Sequence, residues 1–200
     1  MKTAKLFSLT SLFTLIFSLL NITFSQNPEW MNFTAGNYVK AIAIEGNYVW
    51  VGTTGGLVKI DKTTGNTIFY NRSNSGLPSD LVLAITIDGQ GNKWIGTGEG
   101  VSKFDGVNWS VYKITLNLVT AIVIDREGNK WIGTWGGLVK FDGLKWSIYN
   151  IRNSNLPSNV VRAIVIDGQG NKWIGTEGGG LAVYREGGVI LDIKKYKSNK

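Results

Sequence analysis

Hydrophobic and polar residues alternate along much of the chain, and the alternation recurs in four similar stretches. Each stretch is a short run of small and branched apolar residues that ends on an acidic residue. The four runs are AIAIE (41–45), AITID (84–88), AIVID (121–125) and AIVID (163–167). A period of two is typical of β-strands, and the Gly- and Asn-containing sequences that follow are typical of turns. We therefore predict four strands that each end in a tight turn.

A tryptophan follows each run in a second short strand. The four segments are VWVGT (49–53) and three copies of KWIGT (93–97, 130–134 and 172–176). Their tryptophans, Trp50, Trp94, Trp131 and Trp173, are 44, 37 and 42 residues apart, which indicates an internal repeat. Burial of a large aromatic side chain contributes roughly 2 to 3 kcal/mol, so we interpret the four tryptophans as anchors between sheets.

Two further strands complete each unit. The third apolar run is GGLVKID (55–61), GVSKFDG (100–106) or GGLVKFDG (136–143), and the fourth is NTIFY (66–70), NWSVY (108–112) or KWSIY (145–149). Short strands joined by tight turns form antiparallel meanders, because a parallel pair needs a long crossover. One such unit buries its faces only against neighbouring copies. The predicted fold class is all-β, a β-propeller of about four four-stranded antiparallel blades.

The chain begins with a pattern typical of an export signal. Lys2 and Lys5 precede an apolar run from Leu6 to Leu20, which is short for a membrane span and suits a signal peptide of residues 1–25, cleaved after Ser25. We expect no membrane span after cleavage. The other predicted parts are a propeller over 26–193, with blades at roughly 38–79, 80–117, 118–158 and 159–193, and a basic disordered tail over 194–200.

Two segments compete for the outer strand of the last blade. Trp30 to Phe33 has the pattern of the fourth strands, so residues 29–34 are a candidate ring-closing strand, while Val189 to Ile193 could fill the same place. Closure removes exposed strand edges, and a closed four-bladed ring is therefore preferred. An open array that dimerises, or a fragment of a longer propeller, is the rival interpretation.

Composition narrows the chemistry. The sequence has no Cys and no His, which excludes disulfides, the usual catalytic triads and the commonest transition-metal ligands. Without Lys2 and Lys5 the net charge falls from +7 to +5, and the basic residues are spread over the repeats and the tail, so a nucleic-acid partner is not expected. Asp88, Asp125 and Asp167 each open a turn and are interpreted as turn formers rather than calcium ligands. We expect no metal and no cofactor.

Two long segments resemble a known family. Residues Ser75 to Thr97 and Ser154 to Tyr184 run from a Leu-Pro-Ser loop through an acidic turn to Trp-Ile-Gly-Thr, and they resemble the two-component regulator propeller repeat. The resemblance covers the repeats and no kinase part. It implies an exported sensor propeller of bacterial hybrid two-component systems, located in the periplasm or outside the cell, often with polysaccharide fragments as ligands.

Functional residues are sought where the repeats differ. The residue after each Gly-Thr is Thr54, Gly98, Trp135 or Glu177, and the next is Gly55, Glu99, Gly136 or Gly178. These turns are expected to share a face with the connections between blades. Trp135, Glu177, Glu99 and Arg162 are therefore the candidate ligand-binding residues, with Trp135 as a stacking plane for a sugar. Packing of Trp135 on a neighbouring loop is the alternative.

These observations favour a non-enzymatic binding module that recognises a carbohydrate or another extracytoplasmic ligand. A structural scaffold for protein–protein interaction, including association with further copies of the chain, is the alternative. A glycosidase or lyase is a third hypothesis. It would use Glu99 and Glu177, which would have to lie about 5 to 10 Å apart for glycoside hydrolysis.

Overall fold

The computed structural model describes residues 29–33, 38–114, 116 and 118–191. The predicted signal peptide and the basic tail lie outside the described residues. The chain divides into two units, 1–32 and 33–200, and all fifteen strands of the described residues lie in the second. No helix among the described residues is long and apolar enough to cross a membrane.

The strands form four antiparallel sheets in which neighbours pair in chain order. The first blade holds β1 (Val39–Glu45), β2 (Tyr48–Thr53), β3 (Gly56–Asp61) and β4 (Thr67–Tyr70). The second holds β5 (Val82–Ile87), β6 (Lys93–Thr97), β7 (Gly100–Phe104) and β8 (Trp109–Tyr112). The third holds β9 (Val119–Ile124), β10 (Lys130–Thr134), β11 (Gly137–Phe141) and β12 (Trp146–Tyr149). The fourth holds β13 (Val161–Ile166), β14 (Lys172–Thr176) and β15 (Gly180–Tyr184). The predicted all-β propeller of four antiparallel blades is confirmed.

Each blade has two apolar faces because the side chains of a strand alternate. We call the face that packs on the preceding blade the leading face and the other the trailing face. Val82, Ile95 and Phe104 of the second blade pack on Trp50 and Leu57 of the first. Corresponding residues form the cores between the second and third blades and between the third and fourth. The hydrophobic core is therefore divided among three interblade junctions.

A tryptophan lies at the centre of each junction. Trp131 is fully buried, its ring stacks at 6.0 Å from that of Tyr149, and its indole N–H donates to Asp125 Oδ2 at 2.8 Å. Trp50, Trp94 and Trp173 make the same bond to Glu45, Asp88 and Asp167. The acidic residue at the end of each first strand therefore receives the indole N–H of the second strand.

A glycine-to-valine contact sets the distance between blades. A Cβ added to Gly52, Gly96 or Gly133 would lie 2.5 to 2.7 Å from a methyl carbon of Val82, Val119 or Val161 in the next blade. Such separations are far below van der Waals contact, so the glycine of each Trp-x-Gly-Thr segment leaves room for that valine. Adjacent blades can therefore approach closely along their inner strands.

The four blades form an open array rather than the expected closed ring. The inner strands pack β1 on β5, β5 on β9 and β9 on β13, but β13 does not pack on β1 in the described residues. Val39 on the leading face of the first blade is 45% exposed, whereas Val82, Val119 and Val161 are fully buried. The expectation of a closed four-bladed ring is therefore wrong for the described chain.

The ends of the array differ in how much apolar surface they expose. At the first blade, Ile42 and Ile44 of β1 are exposed, while Val51, Val58 and Ile60 at the centre of the leading face are buried. At the fourth blade, Leu181 on the trailing face is 65% exposed, although its counterparts Leu57, Val101 and Leu138 are buried. Both outer faces therefore retain apolar side chains that internal blades cover.

The fourth blade contains three strands in the described residues. Val189 to Leu191, the described part of one predicted outer strand, has no strand geometry. Instead, the Ile190 backbone N–H donates to Asn171 Oδ1 at 3.0 Å, and Asn171 Nδ2 donates back to the Ile190 carbonyl. The candidate ring-closing segment also carries no strand over residues 29–33. Prediction of the Val189 strand is thus wrong for residues 189–191, because the segment binds the turn instead of the sheet edge.

Candidate functional site on the loop face

The turns between second and third strands share one face with the connections between blades. The Trp135 N–H donates to the Leu118 carbonyl at 3.2 Å, and the Glu177 N–H donates to the Val160 carbonyl at 2.8 Å. In both bonds a turn residue binds the connection that leads into its own blade. We call this side of the array the loop face. The turns and connections therefore share a face, as the strand order predicts.

Three of the four candidate residues lie together on this face. The guanidinium carbon of Arg162 lies 5.3 Å from the centroid of the Trp135 ring. Arg162 Nε donates to Glu177 Oε2 at 2.7 Å, and the guanidinium forms an ion pair with the same carboxylate. We call these three residues the Trp135 cluster. In this cluster a cation of the fourth blade lies over an aromatic ring of the third blade and binds an anion of its own blade.

Glu99 belongs to a separate pair. Its carboxylate lies 3.5 Å from Arg72 Nη1, and both side chains are exposed. Sequence reasoning did not single out Arg72, which lies in the connection after the first blade. The one sequence feature that could have identified Arg72 is its position at the start of a connection on the loop face. The structure therefore divides the candidate residues into the Trp135 cluster and the Arg72–Glu99 pair.

The cluster is held together weakly. Exposed ion pairs contribute about 0 to 1 kcal/mol, and exposed cation–π contacts about 0.5 to 1 kcal/mol. Trp135 is 42% exposed, and the Arg162 and Glu177 side chains are about half exposed. A ligand could therefore replace these contacts at a small energetic cost.

The backbone beneath Trp135 is much more strongly constrained. The buried Thr134 hydroxyl donates to the Gly137 carbonyl at 2.8 Å and accepts the Gly136 N–H at 3.0 Å. A Cβ on Gly136 would lie 2.8 Å from the Leu116 side chain. The turn is thus closed by its own hydrogen bonds and packed against the connection. It presents Trp135 from a defined position.

The turn that carries Glu177 is longer. Thr176 pairs with Gly180, whereas Thr134 pairs with Gly137 in the third blade, so this turn has one additional residue. The Thr176 hydroxyl still donates to the Gly180 carbonyl at 2.8 Å. The added length makes the Glu177 turn the exception among the four. It accompanies the only candidate carboxylate that contacts Arg162.

A second group of charges lies at the opposite ends of the strands. Burial alone would raise the pKa of Asp125, but hydrogen bonds from Trp131 and Asn129 outweigh it and lower that pKa. At Asp167 the same opposition, with bonds from Trp173 and Asn171, lowers the pKa to about 2. Lys172 Nζ lies 3.8 Å from Asp125 Oδ2 across the junction. These carboxylates hold turns, indoles and neighbouring blades together.

The chain's repeat matches a described family. Residues 155–178, in the fourth blade and the connection before it, match the profile of the Two component regulator propeller. A search of curated proteins finds no relative that matches the chain. The family profile covers a single repeat, and the structures below cover most of the array.

Several solved structures have the same architecture. The extracellular domain of B. thetaiotaomicron BT3049, described as a hybrid two component system, is 29% identical with a TM-score of 0.67. The match covers 83% of this chain and 24% of that one. PorZ, a surface component of the type-IX secretion system of Porphyromonas gingivalis, is 23% identical with a TM-score of 0.59, over 74% of this chain and 26% of PorZ. The computationally designed Ika4 protein is 17% identical with a TM-score of 0.57, over 76% of this chain and 92% of Ika4.

The fold is a small β-propeller that is similar to the extracellular domain of a hybrid two component system. The chain spans about a quarter of the length of the two natural proteins just named. Residues 155–178 match the repeat of the two-component regulator propeller family, which confirms the resemblance seen in the Leu-Pro-Ser to Trp-Ile-Gly-Thr segments.

Proposed function

We propose that this chain is an exported, non-enzymatic binding module, sensor-like in character, that recognises a carbohydrate through the Trp135 cluster. The observation that carries the proposal is the partly exposed indole of Trp135 held beside a guanidinium and a carboxylate. The likeness to an extracellular domain of a hybrid two-component system supports both the sensor-like character and the location outside the cytoplasm.

The chemistry of the cluster suits a sugar. The apolar face of a pyranose can stack on an indole, while Arg162 donates hydrogen bonds to hydroxyl oxygens and Glu177 accepts them from hydroxyl groups. The Arg162 guanidinium covers one side of the Trp135 ring at 5.3 Å. A sugar would use the remaining exposed surface or displace the guanidinium. Because the contacts within the Trp135 cluster are weak, a sugar that binds in either way loses little of its binding energy in breaking them.

The arrangement gives little support to a hydrolase or lyase. Glu99 and Glu177, the two carboxylates that such an enzyme would use, are each paired with a different arginine. Both carboxylate side chains are more than half exposed. A general acid usually needs burial or a neighbouring negative charge to raise its pKa. Binding without chemistry therefore remains the better-supported function.

The first test is thermal unfolding of the purified protein against a panel of oligosaccharides. A ligand at one hundred times its Kd stabilises by about 2.7 kcal/mol, which raises the midpoint by about 5 to 10 °C in a domain of this size. We expect one glycan class to give such a shift. Trp135→Ala should abolish it without lowering the midpoint of the free protein by more than a degree or two.

Leu144→Ala is the matched control, because Leu144 is a highly exposed apolar residue in the β11–β12 hairpin, away from the loop face. It should retain the full glycan shift. Absence of a shift with every glycan would remove the carbohydrate proposal. A shift that survives Trp135→Ala would place the site elsewhere.

The outer faces of the array favour a second candidate function, a scaffold for protein association. Exposed Val39 and Leu181 occupy positions that are buried in internal blades. A protein partner would bury those faces, whereas a small sugar on the loop face would not. The two functions use different surfaces and can be tested separately.

A further inference from the structure

Among the residues that the structure describes, the fourth blade has no outer strand. In the first three blades, a Cβ on Gly56, Gly100 or Gly137 would lie 2.3 to 2.6 Å from the carbonyl oxygen of a tyrosine in the fourth strand. Gly180 also begins a third strand, at the end of the longer turn, and nothing lies within 4 Å of the point where its Cβ would be. In the described residues β15 pairs only with β14. The glycine that admits a fourth strand is thus present where the described sheet has none.

A groove marks this place. It lies beside β15 and is lined by side chains that include Tyr149, Leu156 and Tyr184. At the other two junctions a tryptophan of the fourth strand occupies the equivalent position. Trp109 stacks on Phe104 at 4.4 Å, and Trp146 stacks on Phe141 at 4.2 Å. The groove therefore corresponds to a missing aromatic ring over Tyr184.

Within the described part of the chain, Trp173 has no counterpart of the tyrosine that stacks on each of the other three repeat tryptophans. Trp50, Trp94 and Trp131 each stack on the tyrosine that ends the fourth strand of their own blade, at 5.6 to 6.1 Å. Among the described residues no aromatic ring stacks on Trp173, and its side chain is only partly buried. An incoming fourth strand would need one aromatic residue over Tyr184 and another, three residues later, against Trp173.

The segment Trp30 to Phe33 meets this requirement. Its two aromatic residues have the spacing of Trp109 and Tyr112, and Trp30 lies nine residues before Val39, much as Trp109 lies ten residues before Val119. Trp30 is 87% exposed. In the register of the third blade, where Phe141 pairs with Trp146, Trp30 would pair with Tyr184 and Phe33 with Leu181. The segment therefore has the sequence and chain position of a fourth strand for the blade before β1.

The glycine and valine that meet at each internal junction also recur at the two ends of the array. At each internal junction a glycine meets a valine of the next blade, but a Cβ on Gly175 would find no atom closer than 3.7 Å, in its own blade. Val39 is the one valine of this set that is exposed. Val39 on the leading face of the first blade and Gly175 on the trailing face of the fourth thus correspond to the two sides of an internal glycine–valine contact, although Val51, Val58 and Ile60 at the centre of that leading face are already buried.

We propose that two copies of the chain associate head to tail. Residues 30–33 of each copy add as a fourth strand to β15 of the other, and Val39 of the incoming first blade packs on Gly175. Strand addition of this kind satisfies the free edge through backbone hydrogen bonds. Two reciprocal junctions leave neither copy with an open end.

The short linker between residues 30–33 and β1 explains why the added strand comes from another copy. Five residues separate Phe33 from Val39, so the segment can reach no further than about 20 Å from the first blade. It can fill the fourth blade only where a first blade lies next to it. In the described chain β1 does not pack on β13, so the adjacent first blade belongs to a second copy.

The new junction would be weaker than the internal ones. Lys93 and Lys172 reach the acidic residue of the preceding blade, but the first blade has Val49 at this position. It also has Thr67 where the second and third blades have Trp109 and Trp146. We therefore expect the pair to separate at a lower denaturant concentration than that at which the blades unfold.

Directed disulfide formation tests the proposal, because the chain contains no cysteine. In the expected register Met31 lies opposite Val183, as Ser147 lies opposite Lys140. Met31→Cys protein mixed with Val183→Cys protein should give a covalent two-chain product on mild oxidation. Met31→Cys mixed with Leu144→Cys protein should not, since Leu144 lies in a distant hairpin. Failure of the first mixture to exceed the second would overturn the proposal.

The double variant Met31→Cys/Val183→Cys separates a second copy from self-closure. We expect it to give a closed two-chain product held by two disulfides. A single chain with an internal disulfide would show that the segment closes its own ring, and a ladder of longer products would show open polymers. Either result would contradict the reciprocal pair.

A glycine variant tests the blade contact without cysteines. Gly175→Ala has room in the single chain and should unfold like the wild type, but its methyl group would meet Val39 of the second copy at the distance that internal glycines avoid. We expect the wild type to have twice the chain mass in solution and Gly175→Ala to dissociate at a concentration at least tenfold higher. Gly168→Ala, which also has open space, is the control and should remain paired. A wild type of single-chain mass at high concentration, or unchanged pairing of Gly175→Ala, would refute the proposal.

Discussion

Replacement of Gly133 by alanine tests how closely the blades approach. The added Cβ would lie 2.7 Å from Val161 Cγ1 and 3.2 Å from Thr120 Oγ1. Val161 is fully buried, and the Thr120 hydroxyl donates to its carbonyl at 2.6 Å, so neither neighbour can move freely. The third and fourth blades would have to separate by several tenths of an ångström or more.

The expected magnitude follows from two opposing effects. Overpacking of a well-packed core costs about 1 to 3 kcal/mol. Replacement of glycine by alanine also lowers the conformational entropy of the unfolded chain, which stabilises the folded state by about 0.4 to 1 kcal/mol. We therefore expect Gly133→Ala to lower the free energy of unfolding by about 1 to 2 kcal/mol. Equilibrium urea unfolding, read with an unchanged m-value, measures this difference.

A double-mutant cycle identifies the cause. Val161→Ala removes the methyl group that the new Cβ meets, so the double variant Gly133→Ala/Val161→Ala should be more stable than the sum of the single effects predicts. The coupling should be about 0.5 to 3 kcal/mol. Gly168→Ala is the matched control, because open space surrounds that position. Unchanged stability of Gly133→Ala, or strict additivity with Val161→Ala, would refute the steric explanation.

Two further predictions concern buried polar groups. Because the folded-state pKa of Asp125 is lowered, its contribution to stability is present above the unfolded value of about 4 and is lost as pH falls through the folded value. Asp125→Asn should therefore flatten the dependence of unfolding free energy on pH below about 5, and a slope equal to that of the wild type would contradict this role. Thr134→Val should cost about 1 to 3 kcal/mol in urea unfolding, because it leaves the buried Gly137 carbonyl without its hydroxyl donor. A variant as stable as the wild type would show that the hydroxyl is not needed.

Strand order and blade composition could be predicted from the sequence because they depend on local pattern. The period-two runs, the Asp-Gly turns and the spacing of Trp50, Trp94 and Trp131 each reflect an element of a single blade. The interpretation of Asp88 as a turn former agrees with its bonds to the N–H groups of Gln90 and Asn92. Asp88 also accepts the indole N–H of Trp94 in the neighbouring strand, and no pattern in the sequence indicated this bond.

The curvature of the array was not predictable from local pattern. It depends on how blades meet, which is set by contacts such as that between Gly52 and Val82, some thirty residues apart. The closed ring was preferred because edges are costly, but the sequence pattern contains no junction angle. Prediction of a ring from the number of repeats therefore failed.

The candidate site was predicted in part. The turns between second and third strands were expected to share a face with the connections between blades, which placed Trp135, Arg162 and Glu177 on one face. The structure brings these three residues together. Glu99 was assigned to the same site but pairs with Arg72 instead. Long exposed side chains such as those of Glu99 and Arg72 can reach several neighbours, so the spacing of repeats could not determine which of them form a pair.

The most direct test of the proposed function is an NMR titration of the indole N–H resonances with the oligosaccharide class that stabilises the protein. The chain has eight tryptophans, and the Trp135→Ala spectrum identifies the resonance of Trp135. The proposal predicts that this resonance shifts with ligand concentration, while those of the buried Trp50, Trp94 and Trp131 remain in place. Saturable shifts confined to other indoles, or no shift at any concentration, would contradict a carbohydrate site at the Trp135 cluster.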